Sequence, residues 1–201
     1  MLIAKANLDN AKDIFTRALE KSEPVIFSTD TIYGIGAPLS DTRANEIIFD
    51  IKGREKNKPF PVLISSLDQL KDIAIIEDAK QAHIIENVWP AAVTLILKAK
   101  SWLPALYTLN GTIAVRMPDK DWLRGVIQKF GPISATSANL SGKTYQTDFN
   151  TIFSTMNKYV IFYIYENYTQ ESSSAIVDIS LPEFKIIRKS PIIGKIEKIL
   201  G

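Results

Sequence analysis

Apolar residues recur along the chain in two different periods, which predict a mixture of helices and strands. Near the N-terminus the spacing is helical, and Asn7 or Asp9 is suited to cap the helix that this spacing predicts. The apolar stripe of this helix consists of Ala11, Ile14, Phe15, Ala18 and Leu19. Residues 24–29 instead form a continuous apolar run that ends in hydroxyl side chains. The chain is therefore predicted to begin with a helix followed by a buried strand.

The same two patterns alternate over the rest of the chain. Further helices are predicted at about residues 42–51, 66–73, 77–88, 119–130, 147–156 and 192–200, and Thr147 is suited to cap the helix that ends near residue 156. Further strands are predicted at residues 61–64, within 89–97, at 112–118, at the start of 131–142, and at 159–165, 174–178 and 184–188. Because late strands follow one another without an intervening helix, the sheet is predicted to be mixed rather than purely parallel. We predict one α/β domain over residues 1–201, a twisted mixed β-sheet flanked by helices.

Composition and charge narrow the classes of function. The chain has 201 residues, of which 46% are hydrophobic, enough for one substantial core. Its net charge of +2 does not favour a protein that coats nucleic acid, so any basic site must be local. The absence of cysteine excludes disulfides, thiolate metal ligands and thiol catalysis, and fits a reducing compartment. Since the sequence has neither a signal-peptide core nor a long apolar run, we expect a cytoplasmic protein without a membrane segment.

A cluster of cations follows the second predicted helix. Lys52, Arg54, Lys56 and Lys58 fall within residues 52–58, directly before an apolar run. Arginine offers a planar fork to phosphate oxygens and lysine a mobile point charge, so the cluster suits a polyphosphate. A solvated turn, or cations placed at the C-terminal end of a helix dipole, would account for the same residues. The pattern alone leaves these alternatives open.

Polar side chains also gather where predicted strands end. Residues 28–29 end the first strand with hydroxyls, and residues 30–36 follow as a predicted loop that contains an acid and two glycines. Residues 131–142 run from a small-residue strand into a loop rich in Ser and Asn. Such groups line ligand crevices in α/β proteins, although they also serve in ordinary polar turns. Thr112 and Arg116 lie on one face of another predicted strand. A buried Arg116 needs a partner, either an internal acid or an anionic ligand.

Two further features are assigned no chemical role. Residues 141–144 resemble the end of a phosphate-binding P-loop, but that motif requires glycine at the position of Ser137. His83 is the only histidine and has no second imidazole or cysteine near it in the sequence, so a structural role is predicted. A standard P-loop and a histidine-based metal site are therefore rejected.

Taken together, the motifs resemble the YrdC-like family, which includes the L-threonylcarbamoyladenylate synthases of tRNA modification. The resemblance extends over about residues 24–190. The matching segments are residues 28–36, Lys52 to Arg54 with Lys58 and Pro59, residues 89–97, 113–118 and 136–142. The most specific matches are the Lys-x-Arg and Ser-x-Asn motifs, here Lys52, Arg54, Ser137 and Asn139.

The resemblance implies a YrdC-like fold around a basic groove, and a reaction that joins L-threonine, bicarbonate and ATP into threonylcarbamoyl-AMP with release of pyrophosphate. It also implies Mg²⁺ on the ATP polyphosphate. Lys52 and Arg54 would be the catalytic residues. The residues that would bind ATP are Lys52, Arg54, Lys58, Thr112, Asn139, Thr147 and Arg188. The residues that would hold threonine are Thr31, Arg116, Ser137 and Ser174.

The resemblance also bears on partners and on alternative functions. As a nucleotidyltransferase of the short, single-domain form, the protein would pass its product to a tRNA threonylcarbamoyl transferase for threonylcarbamoyladenosine formation. The main alternative is a paralogue without synthase activity that binds tRNA or double-stranded RNA, although the nearly neutral charge does not favour it. A third possibility is a carbamoyl-adenylate enzyme of hydrogenase maturation, a domain that normally sits in a much larger chain.

Overall fold

The structure is a computed structural model that describes residues 1–53, 59–140, 142–167 and 172–200. Its helices are α1 Leu8–Lys21, α2 Thr42–Lys52, α3 Leu67–Ile73, α4 Ala79–Val88, α5 Asp121–Phe130, α6 Phe149–Met156 and α7 Ile193–Leu200. Its strands are β1 Leu2–Lys5, β2 Val25–Phe27, β3 Gly34–Pro38, β4 Val62–Leu63, β5 Ala74–Ile75, β6 Val93–Ala99, β7 Thr112–Arg116, β8 Ile133–Ser137, β9 Phe162–Tyr165, β10 Ala175–Asp178 and β11 Lys185–Arg188.

Within the described ranges these strands form one sheet. Their order is β1-β9-β2-β3-β8-β4-β7-β6-β10-β11, with β5 paired to β6 outside this path. The pairs β1/β9, β2/β9, β4/β7 and β6/β10 are parallel, and the other pairs are antiparallel. The predicted mixed sheet with flanking helices is therefore confirmed.

The two halves of the sheet are covered differently. In β2, successive side chains point to opposite faces, so Ile26 packs in the core formed with α2 and α6, and Phe27 in the core formed with α1 and α5. In β6 and β7, Leu95, Leu97 and Val115 pack in a third core with α3, α4 and α7. The opposite face of β6 and β7 lines a cavity instead. The candidate site therefore lies on a sheet face rather than in a core.

Several local predictions are corrected by the structure. The strands β1 and β5 were not predicted, and residues 30–36 are not all loop because β3 begins at Gly34. A Cβ atom at Gly36 would lie 2.0 Å from the Ser134 carbonyl oxygen, so glycine is required there by the close pairing of β3 with β8. Helix α6 is capped by Asp148, whose carboxylate accepts a hydrogen bond from the Thr151 amide, and not by Thr147. Of the two predicted caps for α1, the structure uses Asn7, and Asp9 lies in the first turn of the helix.

The helices are too short to cross a bilayer. A transmembrane helix needs about 20 residues, whereas α1, the longest helix in the described ranges, has 14. Across those ranges no helix combines sufficient length and apolarity to span a membrane.

Candidate active site

A cavity of about 390 Å³ lies on the exposed face of the sheet. Its floor is made by alternate residues of three neighbouring strands, since side chains in a strand alternate between the two faces. These floor residues are Thr94 and Ile96 of β6, Ala114 and Arg116 of β7, and Ile176 of β10. The loop after β2 and the end of β8 form its walls through Thr31 and Ser137. The cavity thus combines apolar side chains such as Ile96 and Ile176 with polar groups near strand ends, an arrangement typical of small-molecule sites.

Arg116 is the principal buried cation of this cavity. It is only 6% exposed. Its Nη1 donates to Thr31 Oγ1 at 2.9 Å, and its Nη2 donates to the Asp30 carboxylate. Burial lowers the pKa of Arg116, and the charge of Asp30 opposes that shift. In the described ranges its Nε has no hydrogen-bond partner, so the guanidinium is paired with an internal acid and still has an unused donor.

In the loop that carries Thr31, the hydrogen bonds determine which threonine hydroxyl is the donor and which is the acceptor. The Thr29 hydroxyl donates its one proton to the Ile32 carbonyl at 2.7 Å, and its oxygen accepts from the Thr31 amide at 3.0 Å. The two hydroxyl oxygens are 2.9 Å apart, so the Thr31 hydroxyl must be the donor between them. Thr31 then accepts from Arg116 and has one lone pair left. That lone pair can accept a hydrogen bond from a ligand amine or hydroxyl.

Lys52 joins two motifs that are distant in sequence. It is the last residue of α2 and is 5% exposed, with Gly53 in the left-handed conformation after it. Its ammonium donates to the Ser137 carbonyl at 2.7 Å, the Asn139 carbonyl at 2.6 Å and the Asn139 Oδ1 at 2.8 Å. The Ser137 hydroxyl also donates to Asn139 Oδ1, at 2.6 Å. One cation therefore fixes the backbone and the side chains of the loop after β8.

A second arginine closes the cavity on the side of β10 and β11. Arg188 donates from Nε to the Ser174 carbonyl at 2.9 Å and from Nη2 to Ser174 Oγ at 3.2 Å. The Ser174 hydroxyl oxygen is 2.9 Å from Thr94 Oγ1 on the cavity floor. Burial lowers the pKa of Arg188, and the positive charge of Arg116 lowers it further. The two guanidinium groups therefore act on the same region of the cavity.

The structure brings most of the predicted site residues together. Those that line the cavity are Thr31, Arg116, Ser137, Ser174 and Arg188. Lys52 and Asn139 adjoin it through their contacts with Ser137. Arg54 and Lys58 lie outside the described residues.

Two predicted residues lie apart from the cavity lining. Thr112 is on the same face of β7 as Ala114 and Arg116, at the other end of the strand, where its hydroxyl donates to the Leu109 carbonyl at 2.7 Å. Thr147 is half-buried just before the Asp148 cap of α6. A role for either residue requires a ligand that extends beyond the described cavity.

Three residues of the site were not assigned from the sequence. Asp30 holds Arg116, Thr94 contacts Ser174, and Tyr145 lines the cavity and acts on the pKa of Arg188. Thr94 carried a usable signal, since it is a hydroxyl residue within an otherwise apolar run, and it is 1% exposed. Asp30 was noted only as part of a polar loop, because its partner is 86 residues away.

These features define an α/β fold with a ligand cavity on an open sheet face, equipped with one buried guanidinium, a second arginine at its edge and several hydroxyls for an anionic small molecule. The family model Sua5/YciO/YrdC, described as "Telomere recombination", matches residues 17–190. The chain belongs to this family.

Individual relatives extend the comparison. A Bacillus subtilis protein named threonylcarbamoyl-AMP synthase is 39% identical over 128 residues, which are 62% of this chain and 37% of the relative. A Mycobacterium tuberculosis protein named putative threonylcarbamoyl-AMP synthase is 28% identical over 187 residues, which are 92% of this chain and 86% of the relative. The solved structure of P. abyssi Sua5 complexed with L-threonine superimposes with a TM-score of 0.91 at 26% identity, covering 100% of this chain and 61% of that one. The chain thus spans well under two thirds of some relatives and most of others.

Proposed function

We propose that this protein is an L-threonylcarbamoyladenylate synthase, a nucleotidyltransferase that forms threonylcarbamoyl-AMP and pyrophosphate from L-threonine, bicarbonate and ATP. The names of the relatives and the threonine complex of P. abyssi Sua5 support this proposal. The observation that carries it is the buried Arg116, held by Asp30 and Thr31 on the floor of a cavity that adjoins Lys52. One site then offers Arg116, which can bind the carboxylate of a substrate, next to Lys52, which can bind phosphate.

Threonine binds, in this proposal, around Arg116. The unused Nε of Arg116 donates to the substrate carboxylate, which is the charge-assisted bond that arginine makes best. The remaining lone pair of Thr31 accepts from the substrate amine. Ser137 and Ser174 offer further hydroxyl groups to threonine from two sides of the cavity.

ATP occupies the side of the cavity formed by the loop after β8. The Lys52 ammonium has three N–H donors, and its contacts with Ser137 and Asn139 use all three. A phosphate oxygen therefore replaces one of these acceptors, and Asn139 Oδ1 is the one whose side chain can turn away. Arg54, Lys58, Thr112, Thr147 and Arg188 are the further proposed ATP contacts. The described cavity lining contains hydroxyls but no carboxylate, so we propose that Mg²⁺ arrives as the ATP complex, held by phosphate oxygens.

The chemistry consists of two bond-forming steps. Bicarbonate takes up a proton and loses water to give carbon dioxide. The neutral amine of threonine then adds to the carbon dioxide, forming a C–N bond and releasing a proton as the carbamate appears. A carbamate oxygen then attacks the α-phosphorus, and the bond to the bridging oxygen breaks so that pyrophosphate leaves. The residues of the site position the reactants and neutralise charge, and no covalent enzyme intermediate is needed. The product then passes to a transferase that contacts tRNA.

Pyrophosphate release tests this proposal. Purified protein with ATP and Mg²⁺ is assayed with and without L-threonine and bicarbonate, and release is expected only when both are present. Arg116→Gln should abolish the threonine-dependent release of pyrophosphate. Arg17→Gln is the matched control, because Arg17 also pairs with an aspartate but on the exposed surface of α1, and it should behave as wild type. Release that does not depend on threonine would contradict the proposal.

A further inference from the structure

The ion pair of Asp30 and Arg116 separates two cavities. Arg116 lines the cavity of about 390 Å³ that holds the proposed substrates. Asp30 lines a neighbouring cavity of about 290 Å³, together with Asp119 and the apolar residues Pro90 and Ala91. The side chains of the pair are 8% and 10% exposed, so bulk water screens their interaction weakly. The Asp30 carboxylate therefore lines the smaller cavity and influences the substrate cavity through its ion pair with Arg116.

The same carboxylate fixes the orientation of the guanidinium. One Asp30 oxygen accepts from Arg116 Nη2, and the other accepts from the Asp119 amide at 3.1 Å. Thr31 holds Nη1 from the second side. A planar guanidinium held at both terminal nitrogens cannot rotate about its stem, so its remaining donors have a fixed direction.

Asp30 also sets the charge that a ligand meets. Arg188 is close enough for the charge of Arg116 to lower its pKa. Without Asp30 this region would present two guanidinium groups, which suits a polyphosphate. With Asp30 a single positive charge remains in excess, which matches one carboxylate. Since ATP and pyrophosphate share the cavity with threonine in the proposed reaction, phosphate bound at Arg116 would block the amino acid.

We propose that Asp30 is a positioning and specificity-determining residue: it orients Arg116 for the carboxylate of an α-amino acid and keeps polyphosphate away from that guanidinium. The assignment of threonine as the amino acid rests on the proposed function. The exclusion of phosphate is a property of the Asp30–Arg116 pair that is measurable without threonine.

Calorimetric titration of the whole protein tests this role, with L-threonine and pyrophosphate as separate probes. Asp30→Asn keeps the shape of the side chain and removes its charge. It should weaken threonine binding about tenfold or more and create a pyrophosphate site that competes with threonine, because a buried charge pair has been broken. Asp30→Glu should restore most of the wild-type preference. Asp13→Asn, the same change in an exposed Asp–Arg pair of α1, should alter both affinities less than about twofold.

A second variant locates the new pyrophosphate site. In Asp30→Asn/Arg116→Gln the additional pyrophosphate binding should disappear, whereas its persistence would place it elsewhere and overturn the proposal. Folded Asp30→Asn protein with unchanged affinity for L-threonine and pyrophosphate would also overturn the proposal. An equal loss of affinity for both probes would overturn it as well. Wild-type protein that does not bind threonine would contradict the proposed function alone, since the Arg116-dependent gain in pyrophosphate binding still decides the role of Asp30.

Discussion

Replacing Lys52 by methionine removes the ammonium group from a nearly buried position and keeps most of the length of the side chain. Oxygens of Ser137 and Asn139, three of them at 2.8 Å or closer, then lose the ammonium that joins the end of α2 to the loop after β8. The loss of one hydrogen bond to a charged group costs about 1.5–3 kcal/mol. These bonds all come from one ammonium group, and water from the adjoining cavity can replace part of them. We therefore expect the free energy of unfolding to fall by about 3 kcal/mol in total.

Lys21→Met is the matched control for this change. Lys21 is the last residue of α1, as Lys52 is of α2, but its side chain is exposed. Its removal should cost about 0.3–1 kcal/mol through the helix dipole. Urea unfolding of both variants measures the difference, and Lys52→Met should also melt about 6–12 °C below wild type. Equal unfolding free energies for the two variants would refute the inference that Lys52 holds this loop.

Two further predictions concern the sheet and the buried tyrosines. Gly36→Ala should lower the free energy of unfolding by about 3 kcal/mol, because the added methyl group meets the Ser134 carbonyl. Gly194→Ala, whose methyl group would lie in open space, should lower the free energy of unfolding little or raise it. Thermal melts of both variants check this difference. Burial raises the pKa of Tyr33 to about 12, from 10.0. An unfolded chain ionises this phenol at lower pH than the folded one, so stability should fall as pH rises from 10.0 to about 12. Urea titrations across that window should show stability falling less steeply with pH for Tyr33→Phe than for wild type, and an unchanged slope would contradict this reasoning.

Elements with strong periodicity were predictable from the sequence. Helix α1 has four buried residues on one stripe, so its type was evident, and the two candidate caps placed its start within two residues. The mixed sheet followed from successive late strands. Strand β1 was missed because it lies at the sheet edge, where Leu2 and Ile3 are 39% and 45% exposed and no buried alternation marks a strand. Strand β3 was missed because its two glycines suggest a loop, whereas pairing with β8 demands Gly36.

The components of the site were predictable, but their mutual contacts were not. Lys52, Ser137 and Asn139 were selected as ligand groups, yet their direct contacts join residues 85 and 87 positions apart, which no local pattern encodes. The alternatives left open for Arg116 included an internal acid, and the structure identifies it as Asp30. Sequence spacing reports which side chains share a face of one element; it does not report which elements meet.

Synthase activity yields one specific nucleotide product. Mass spectrometry can detect this product after reaction of the protein with ATP, Mg²⁺, L-threonine and bicarbonate labelled in its carbon atom. We expect threonylcarbamoyl-AMP that carries the label in its carbamoyl carbon and does not form when threonine is omitted. Folded protein that binds ATP and threonine but yields no labelled nucleotide would contradict the proposed synthase activity.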